Sequence, residues 1–196
     1  MLYRLSKTLA QVLFKVLFRY EVKGRANIPS KGGFILASNH VSYLDPIAVG
    51  IASPREVSFM AKEELFVNSL LSWYLRKLGS FPVKRSSADL SATKEAIRRL
   101  QSGYGVVIFP EGSRRFDGGP TEPHAGIGLI ASKAHVPIIP AFISGTDLAL
   151  PKGAKFIRPR KINVNIGEQI PIERSVPYEE IAHKVMNNIR RLSCSS

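Results

Sequence analysis

One cysteine, Cys194, stands in the whole chain, so no internal disulfide can form and a reducing compartment is permitted. Acidic residues are scarce as well: 15 Asp and Glu face 28 Lys and Arg, a formal charge of +13 and a pI near 10.1. That shortage points to a polyanionic partner, either nucleic acid or an anionic membrane. Nucleic acid is the poorer choice, because no recognition-helix, zinc or aromatic RNP signature is present. Uncharged apolar runs are short, and none approaches the roughly 20 residues a bilayer-spanning helix needs. His40, His124, His135 and His183 show no ligand spacing, and with one cysteine no metal is implied. Repeats, low-complexity tracts and interdomain linkers are also missing. What remains is 196 residues with 44% hydrophobic and 22% charged content, the make-up of one globular domain with a sizeable core.

The first twenty residues carry the clearest amphipathic pattern. Leu2, Leu5, Leu9, Val12, Leu13, Val16 and Leu17 recur at helical spacing, with Arg4, Lys7, Gln11, Lys15 and Arg19 on the opposite face. Lys15 falls where the apolar core of a secretory signal would be, and no small-residue cleavage site follows. The expectation is an interfacial helix over residues 1–20, lying on the cytoplasmic face of an anionic membrane, followed by a globular body over residues 21–196. The localisation expected is therefore peripheral and membrane-associated.

Downstream, short apolar runs alternate with helical patterns. Strands are expected at Phe34 to Ser38, Val57 to Ala61, Ser80 to Val83, Val106 to Phe109, Ile138 to Ile143 and Ile162 to Ile166. Helices are expected at Ile47 to Ala52, Glu63 to Leu78, Leu90 to Ser102, Ile127 to Ala134 and Tyr178 to Leu192. This alternation predicts an α/β single domain with a largely parallel mixed sheet flanked by helices. Glu63 to Leu78 is apolar almost all round, the pattern of a buried helix, of the wall of an apolar tunnel or of a segment dipping into lipid. Asp117 to Pro123 is a loop by composition.

Two short segments carry the chemistry. Asn39-His40 is followed by Asp45, a His placed five residues before an Asp, and Phe109-Pro-Glu-Gly-Ser-Arg-Arg115 is a Gly-containing, doubly basic turn. Each follows an expected strand, and in open α/β sheets ligands bind at such strand ends. His40 with Asp45 resembles the HxxxxD signature of the glycerolipid acyltransferases, and Phe109 to Arg114 resembles their phosphate motif. Gly79-Ser-Phe-Pro-Val-Lys-Arg85 and Val136-Pro-Ile-Ile-Pro140 are similar to two further blocks, and all four occur in the family's order. The branch most resembled is the 1-acylglycerol-3-phosphate acyltransferases. The resemblance implies a glycerol-3-phosphate acyltransferase-like fold. It also implies acyl transfer from acyl-coenzyme A or acyl carrier protein, as co-substrate rather than cofactor, to lysophosphatidic acid. The chain departs from the pattern at Pro123-His-Ala-Gly126, where many members carry a Phe-Lys-Lys-Gly stretch.

The residues fit that chemistry. An attacking hydroxyl must lose its proton, and a neutral imidazole with a pKa near 6.5 suits the task. His40 is the expected base. Asp45 is expected to bond its other ring nitrogen, and as an Asp before Pro46 it also reads as a helix N-cap. Gly112 lets backbone N–H groups approach an anion, with Arg114, Arg85 and Lys62 as phosphate-binding cations. Glu111 is expected to bond the acceptor's glycerol hydroxyls or to position an arginine. Asn39 reads as bonding its own turn, Val136 to Pro140 as a buried strand with proline at its start and near an edge that walls the acyl pocket without a catalytic role, and His124 as an exposed loop histidine. Two other readings remain: a different acceptor, such as glycerol 3-phosphate or another lysolipid, and a non-catalytic basic membrane-binding module.

Overall fold

Phe34 to Ser38 are buried at all five positions, the pattern of a strand covered on both faces. In the computed structural model, which describes residues 1–84, 89–112, 122–172 and 175–194, this segment is β2, near the middle of a sheet of seven described strands. The others are β1 (Glu21–Lys23), β3 (Val57–Lys62), β4 (Ser80–Val83), β5 (Gly105–Ile108), β6 (Ile138–Ser144) and β7 (Asn163–Ile166), in the spatial order β1-β7-β6-β2-β5-β3-β4. Every neighbouring pair is parallel except β6 with β7. The described helices are α1 (Leu2–Phe18), α2 (Asp45–Ala52), α3 (Ser69–Lys77), α4 (Leu90–Gln101), α5 (Gly126–Ala134), α6 (Thr146–Ala149) and α7 (Tyr178–Ser193).

Alternate residues of each central strand feed two cores. Ile35 and Ala37 pack with α4, α5 and α7 through Ala96, Leu100, Ile130, Val185 and Ile189. Phe34 and Leu36 face the other way and pack with α1 and α2 through Phe14, Phe18, Ala48 and Val49. The result is a single α/β domain with helices on both faces of a mostly parallel sheet. Gly128 lets α5 approach α7 closely, since a Cβ there would lie 2.4 Å from the Tyr178 carbonyl oxygen.

Several expectations need correction. The strand Glu21–Lys23 and the short helix Thr146–Ala149 carry too little pattern to be drawn from sequence. The expected helix from Glu63 to Leu78 is a 3-10 turn, Glu63–Phe66, followed by α3, because the Asn68 side chain caps the new helix at Leu71 N–H. None of its residues is buried. Val136 to Pro140 is neither near an edge nor a pocket wall: β6 runs between β7 and β2, and Pro140 stands one residue before the β7 ladder begins at Ala141. The loop expected from Asp117 to Pro123 lies outside the described residues as far as Thr121.

The first helix seats a mixed face against the protein, Lys7 and Gln11 together with Phe14 and Phe18, while Arg4, Lys15 and Arg19 stay exposed beside its apolar residues. Lys7 donates to the carbonyls of Ser53 (2.6 Å) and Arg55 (3.2 Å), and Gln11 donates to that of Ile51 (3.1 Å). These carbonyls lie at and just beyond the C-terminus of α2, where unpaired acceptors and the helix dipole both favour a cation. Phe14 and Phe18 are the buried anchors. Leu5, Leu9, Val12, Leu13, Val16 and Leu17 are all exposed, Val16 at 74%. No described helix is long and apolar enough to cross a membrane.

Candidate active site

The carboxyl ends of β2, β3 and β5 meet at one edge of the sheet. His40 follows β2 by two residues, Asp45 opens α2, Lys62 ends β3, and Glu111 and Gly112 follow β5. The His40 ring is buried and stacks on Phe109, with centroids 4.1 Å apart and an interplanar angle of 20°. Its Nδ1 lies 2.8 Å from Asp45 Oδ2. The same carboxylate oxygen accepts from the backbone N–H groups of Val41 (2.6 Å) and Ser42 (2.7 Å). Asp45 therefore closes its own loop instead of capping α2: the cap position is Leu44, and Pro46 sits in the first turn. Asp45 Oδ1 is buried with no hydrogen-bond partner among the described residues.

With Nδ1 engaged, Nε2 is the ring nitrogen left for chemistry, and no bond to it is formed by the described residues. Glu111 is buried, and its Oε2 accepts the His40 backbone N–H at 3.1 Å. That bond joins the two motifs directly, a role the sequence did not suggest for Glu111. Asn39 also differs from expectation. Its amide pairs with both backbone groups of Ile143 on β6, at 2.9 and 2.8 Å, so it ties the His40 loop to the neighbouring strand. Gly112 has φ +67°, and a Cβ there would lie 2.6 Å from His124 Nε2. His124 is exposed and its N–H donates to the Pro110 carbonyl at 2.9 Å.

Beside His40 opens a cavity of about 440 Å³. Its walls come from α1 (Tyr3, Ala10), α2 (Pro46, Ile47, Gly50), β3 (Phe59, Met60, Ala61, Lys62) and the segment around α3 (Leu65, Tyr74, Leu75, Leu78), with Phe109 beside His40. The lining is mostly apolar, so it suits a hydrocarbon chain with its reacting end at the imidazole. Lys62 is exposed at the mouth, where an ammonium can meet an anionic headgroup. Arg85 and Arg114 lie outside the described residues. The structure thus brings His40, Asp45, Lys62, Glu111 and Gly112 to one edge of the sheet. The wall residues Leu65, Tyr74, Leu75 and Leu78 fall in the all-round apolar segment Glu63 to Leu78, for which a tunnel wall is one reading of the sequence, whereas Tyr3 and Ala10 of α1 carry no such signal because tertiary packing alone places them there.

A carboxylate-oriented imidazole at the strand ends of an α/β sheet, beside an apolar cavity, is the arrangement of an enzyme that activates a hydroxyl next to a long hydrocarbon substrate. The chain belongs to the acyltransferase family, whose model, described as Acyltransferase, matches residues 19–144. It is 29% identical to the 1-acyl-sn-glycerol-3-phosphate acyltransferase of Bacillus subtilis over 170 residues, covering 86% of this chain and 82% of that protein. Identity to the Streptococcus pneumoniae protein of the same name is 31% over 191 residues, covering 90% of this chain and 69% of the relative. Among solved structures, the 1-acyl-sn-glycerophosphate (LPA) acyltransferase PlsC from Thermotoga maritima superposes with a TM-score of 0.83 at 30% identity, covering 96% of this chain and 77% of that one.

Proposed function

We propose that this enzyme transfers an acyl group from an acyl thioester to the free hydroxyl of lysophosphatidic acid, giving phosphatidic acid. The observation that carries the mechanism is the His40–Asp45 pair, 2.8 Å apart, beside the apolar cavity. Asp45 holds the proton of His40 on Nδ1, which leaves Nε2 as an acceptor facing the substrate. The acceptor hydroxyl passes its proton to Nε2 as its oxygen attacks the thioester carbonyl. The tetrahedral adduct collapses, the C–S bond breaks, and the imidazolium returns the proton to the departing thiolate. Asp45 stabilises the imidazolium in between, and a buried carboxylate next to it strengthens that effect. The substrate supplies the nucleophile, so no enzyme serine is needed.

The acyl chain occupies the cavity, and Lys62, with Arg85 and Arg114, binds phosphate; the Gly112 N–H is spent on the Phe109 carbonyl at 3.0 Å, so Gly112 shapes the turn rather than donating to the anion. Glu111 secures the loop that holds the base. Coenzyme A or acyl carrier protein delivers the acyl group. The outward apolar face of α1 rests in an anionic membrane, which makes residues 1–20 the interfacial element and residues 21–196 the catalytic body. The family match beginning at residue 19, where α1 has ended, supports that division.

Purified protein mixed with lysophosphatidic acid in vesicles and palmitoyl-coenzyme A should release one thiol per phosphatidic acid formed. Running palmitoyl-acyl carrier protein and a panel of other lysolipids beside it ranks the donors and acceptors. Faster turnover of another acceptor than of lysophosphatidic acid would reassign the substrate, and thiol release without lipid product would contradict transfer to a lipid.

A further inference from the structure

Between α6 and β7 the chain makes an excursion whose composition the acyl-transfer chemistry does not explain. No acid occurs between Asp147 and Glu168, while Lys152, Lys155, Arg158, Arg160 and Lys161 fall within ten residues. In their midst Phe156 is 82% exposed and Ile157 51%. Single exposed apolar residues are ordinary, but an adjacent Phe and Ile at the tip of a cationic loop are not required by the loop's own structure.

The excursion is an ordered turn fixed at both ends. The Ala154 N–H donates to the Pro151 carbonyl at 3.0 Å, and the Arg158 N–H to that of Ala149 at 2.8 Å. At one end the Leu150 carbonyl accepts from the Ser42 hydroxyl at 3.3 Å, in the loop between His40 and Asp45. At the other, the Ile162 N–H donates to the Phe18 carbonyl at 3.0 Å, and Lys161 pairs with Glu21 at 2.9 Å, where α1 ends and β1 begins. The loop is thus continuous with the helix whose apolar face points outward and is bonded directly to the catalytic loop.

We propose that residues 151–161 form a second membrane contact, in which Phe156 and Ile157 insert into an anionic phospholipid bilayer while Lys155, Arg158 and Arg160 sit on its phosphates. This inference rests on the membrane reading of α1 given above and adds a separate contact to it. The chemistry is that of an interfacial element: apolar tips enter the acyl boundary and long cationic side chains reach the headgroups. Each cation near an anionic surface is worth roughly fivefold in affinity. An acidic protein would satisfy the cations but gives no reason for the exposed Phe–Ile pair. With α1 on one side and this loop on the other, the mouth beside His40 is held against the lipid plane, where a lysolipid's hydroxyl lies.

The test uses the full chain and vesicles of phosphatidylcholine with about 30 mol% phosphatidylglycerol, an anionic surface of the kind basic segments recognise. An environment-sensitive dye is attached at Phe156→Cys in a Cys194→Ser background, with Glu179→Cys on α7 as the reference position. The dye at 156 should shift to the blue on vesicle addition while the dye at 179 does not. Phe156→Ser with Ile157→Ser should weaken flotation at least tenfold, the loss expected for withdrawing two apolar side chains from lipid. Lys155→Glu with Arg158→Glu should weaken it on phosphatidylglycerol vesicles and not on phosphatidylcholine alone. Flotation of the wild type with a water-like dye at 156 and undiminished binding by the serine variant would overturn the inference and leave α1 as the anchor. A wild type that fails to float would overturn both. A dye at 156 that responds to acyl carrier protein and not to vesicles would also overturn it, assigning the surface to an acidic protein. Acyl transfer is measured separately, so failure of the reaction assignment is read independently.

Discussion

One oxygen of Asp45 holds both the His40 imidazole and two backbone N–H groups of the intervening loop, so orientation and loop closure cannot be varied independently. Asp45→Asn keeps an acceptor for Val41 and Ser42 but no longer stabilises an imidazolium, and its amide nitrogen competes for the same place. Turnover should fall by about 10²–10⁴ with the melting temperature nearly retained. Asp45→Ala strips the acceptor from buried donors, which costs about 1–3 kcal/mol per unpaired group, and should lower the melting temperature as well. Calorimetry beside thiol-release assays separates the two variants. Gly112 offers a second residue-scale test. At φ +67°, and with His124 Nε2 2.6 Å from where a Cβ would stand, Gly112→Ala meets both backbone strain and a clash. Adding His124→Ala should relieve the clash and leave the strain, so the double variant should recover part of the lost activity. No recovery at all would mean that the His124 contact is irrelevant to the turn.

At the scale of elements, α4 contains a compact ion cluster with a defined pH signature. Arg98 and Arg99 both bond Glu95, and Arg99 reaches on to Ser58 and the Gly79 carbonyl. The hydrogen bond from Arg98 foremost, aided by Arg99 and opposed by desolvation, holds the Glu95 carboxyl down to about 2 from an ordinary 4.5. A depressed carboxylate stabilises the fold fully above its unfolded-state value and loses that contribution as pH falls through the folded-state one. The wild type should therefore lose more melting temperature than Glu95→Gln between pH 4.5 and 2. The difference above that window should be only about 1 kcal/mol, because Arg98 is exposed and screened.

Sequence periodicity read such elements unevenly. Phe34 to Ser38 and Ser80 to Val83 were legible to the residue, since short apolar runs between breakers leave no other choice. Glu21–Lys23 was not, because three residues with one half-buried position carry no period. In α1 the period grouped the outward Leu and Val residues correctly but put Lys7 and Gln11 with Arg4, Lys15 and Arg19, of which only Lys7 and Gln11 turn inward, where α2 ends with its carbonyls beside them. The site divides the same way. His40 and Asp45 are five residues apart and were readable together, whereas the Glu111 bond to His40 and the Asn39 bonds to Ile143 span 71 and 104 residues. Folding alone brings those pairs into contact. Leu9→Asp with Val16→Asp, both on exposed positions, should reduce vesicle flotation while leaving the unfolding free energy unchanged to within about 0.5 kcal/mol. Phe14→Ala should cost about 3–5 kcal/mol of fold stability. Equal flotation by the aspartate variant would remove α1 as the anchor.

For the molecule as a whole, the proposed membrane role joins a charge of +13 to an outward apolar helix face: electrostatics would bring the protein to an anionic surface and apolar contacts would hold it there. Raising salt from about 0.05 to 0.5 M shortens the screening length severalfold, so flotation on anionic vesicles should weaken with salt while flotation on neutral vesicles changes little. The sheet places His40 at its carboxyl edge, and the cavity runs beside it with α1 in its wall. The most direct measurement is the production of phosphatidic acid and free thiol from lysophosphatidic acid and an acyl thioester by wild type and by His40→Ala, with circular dichroism confirming that both are folded. The account predicts stoichiometric product from the wild type and none above background from the variant. Undiminished turnover by folded His40→Ala would contradict it.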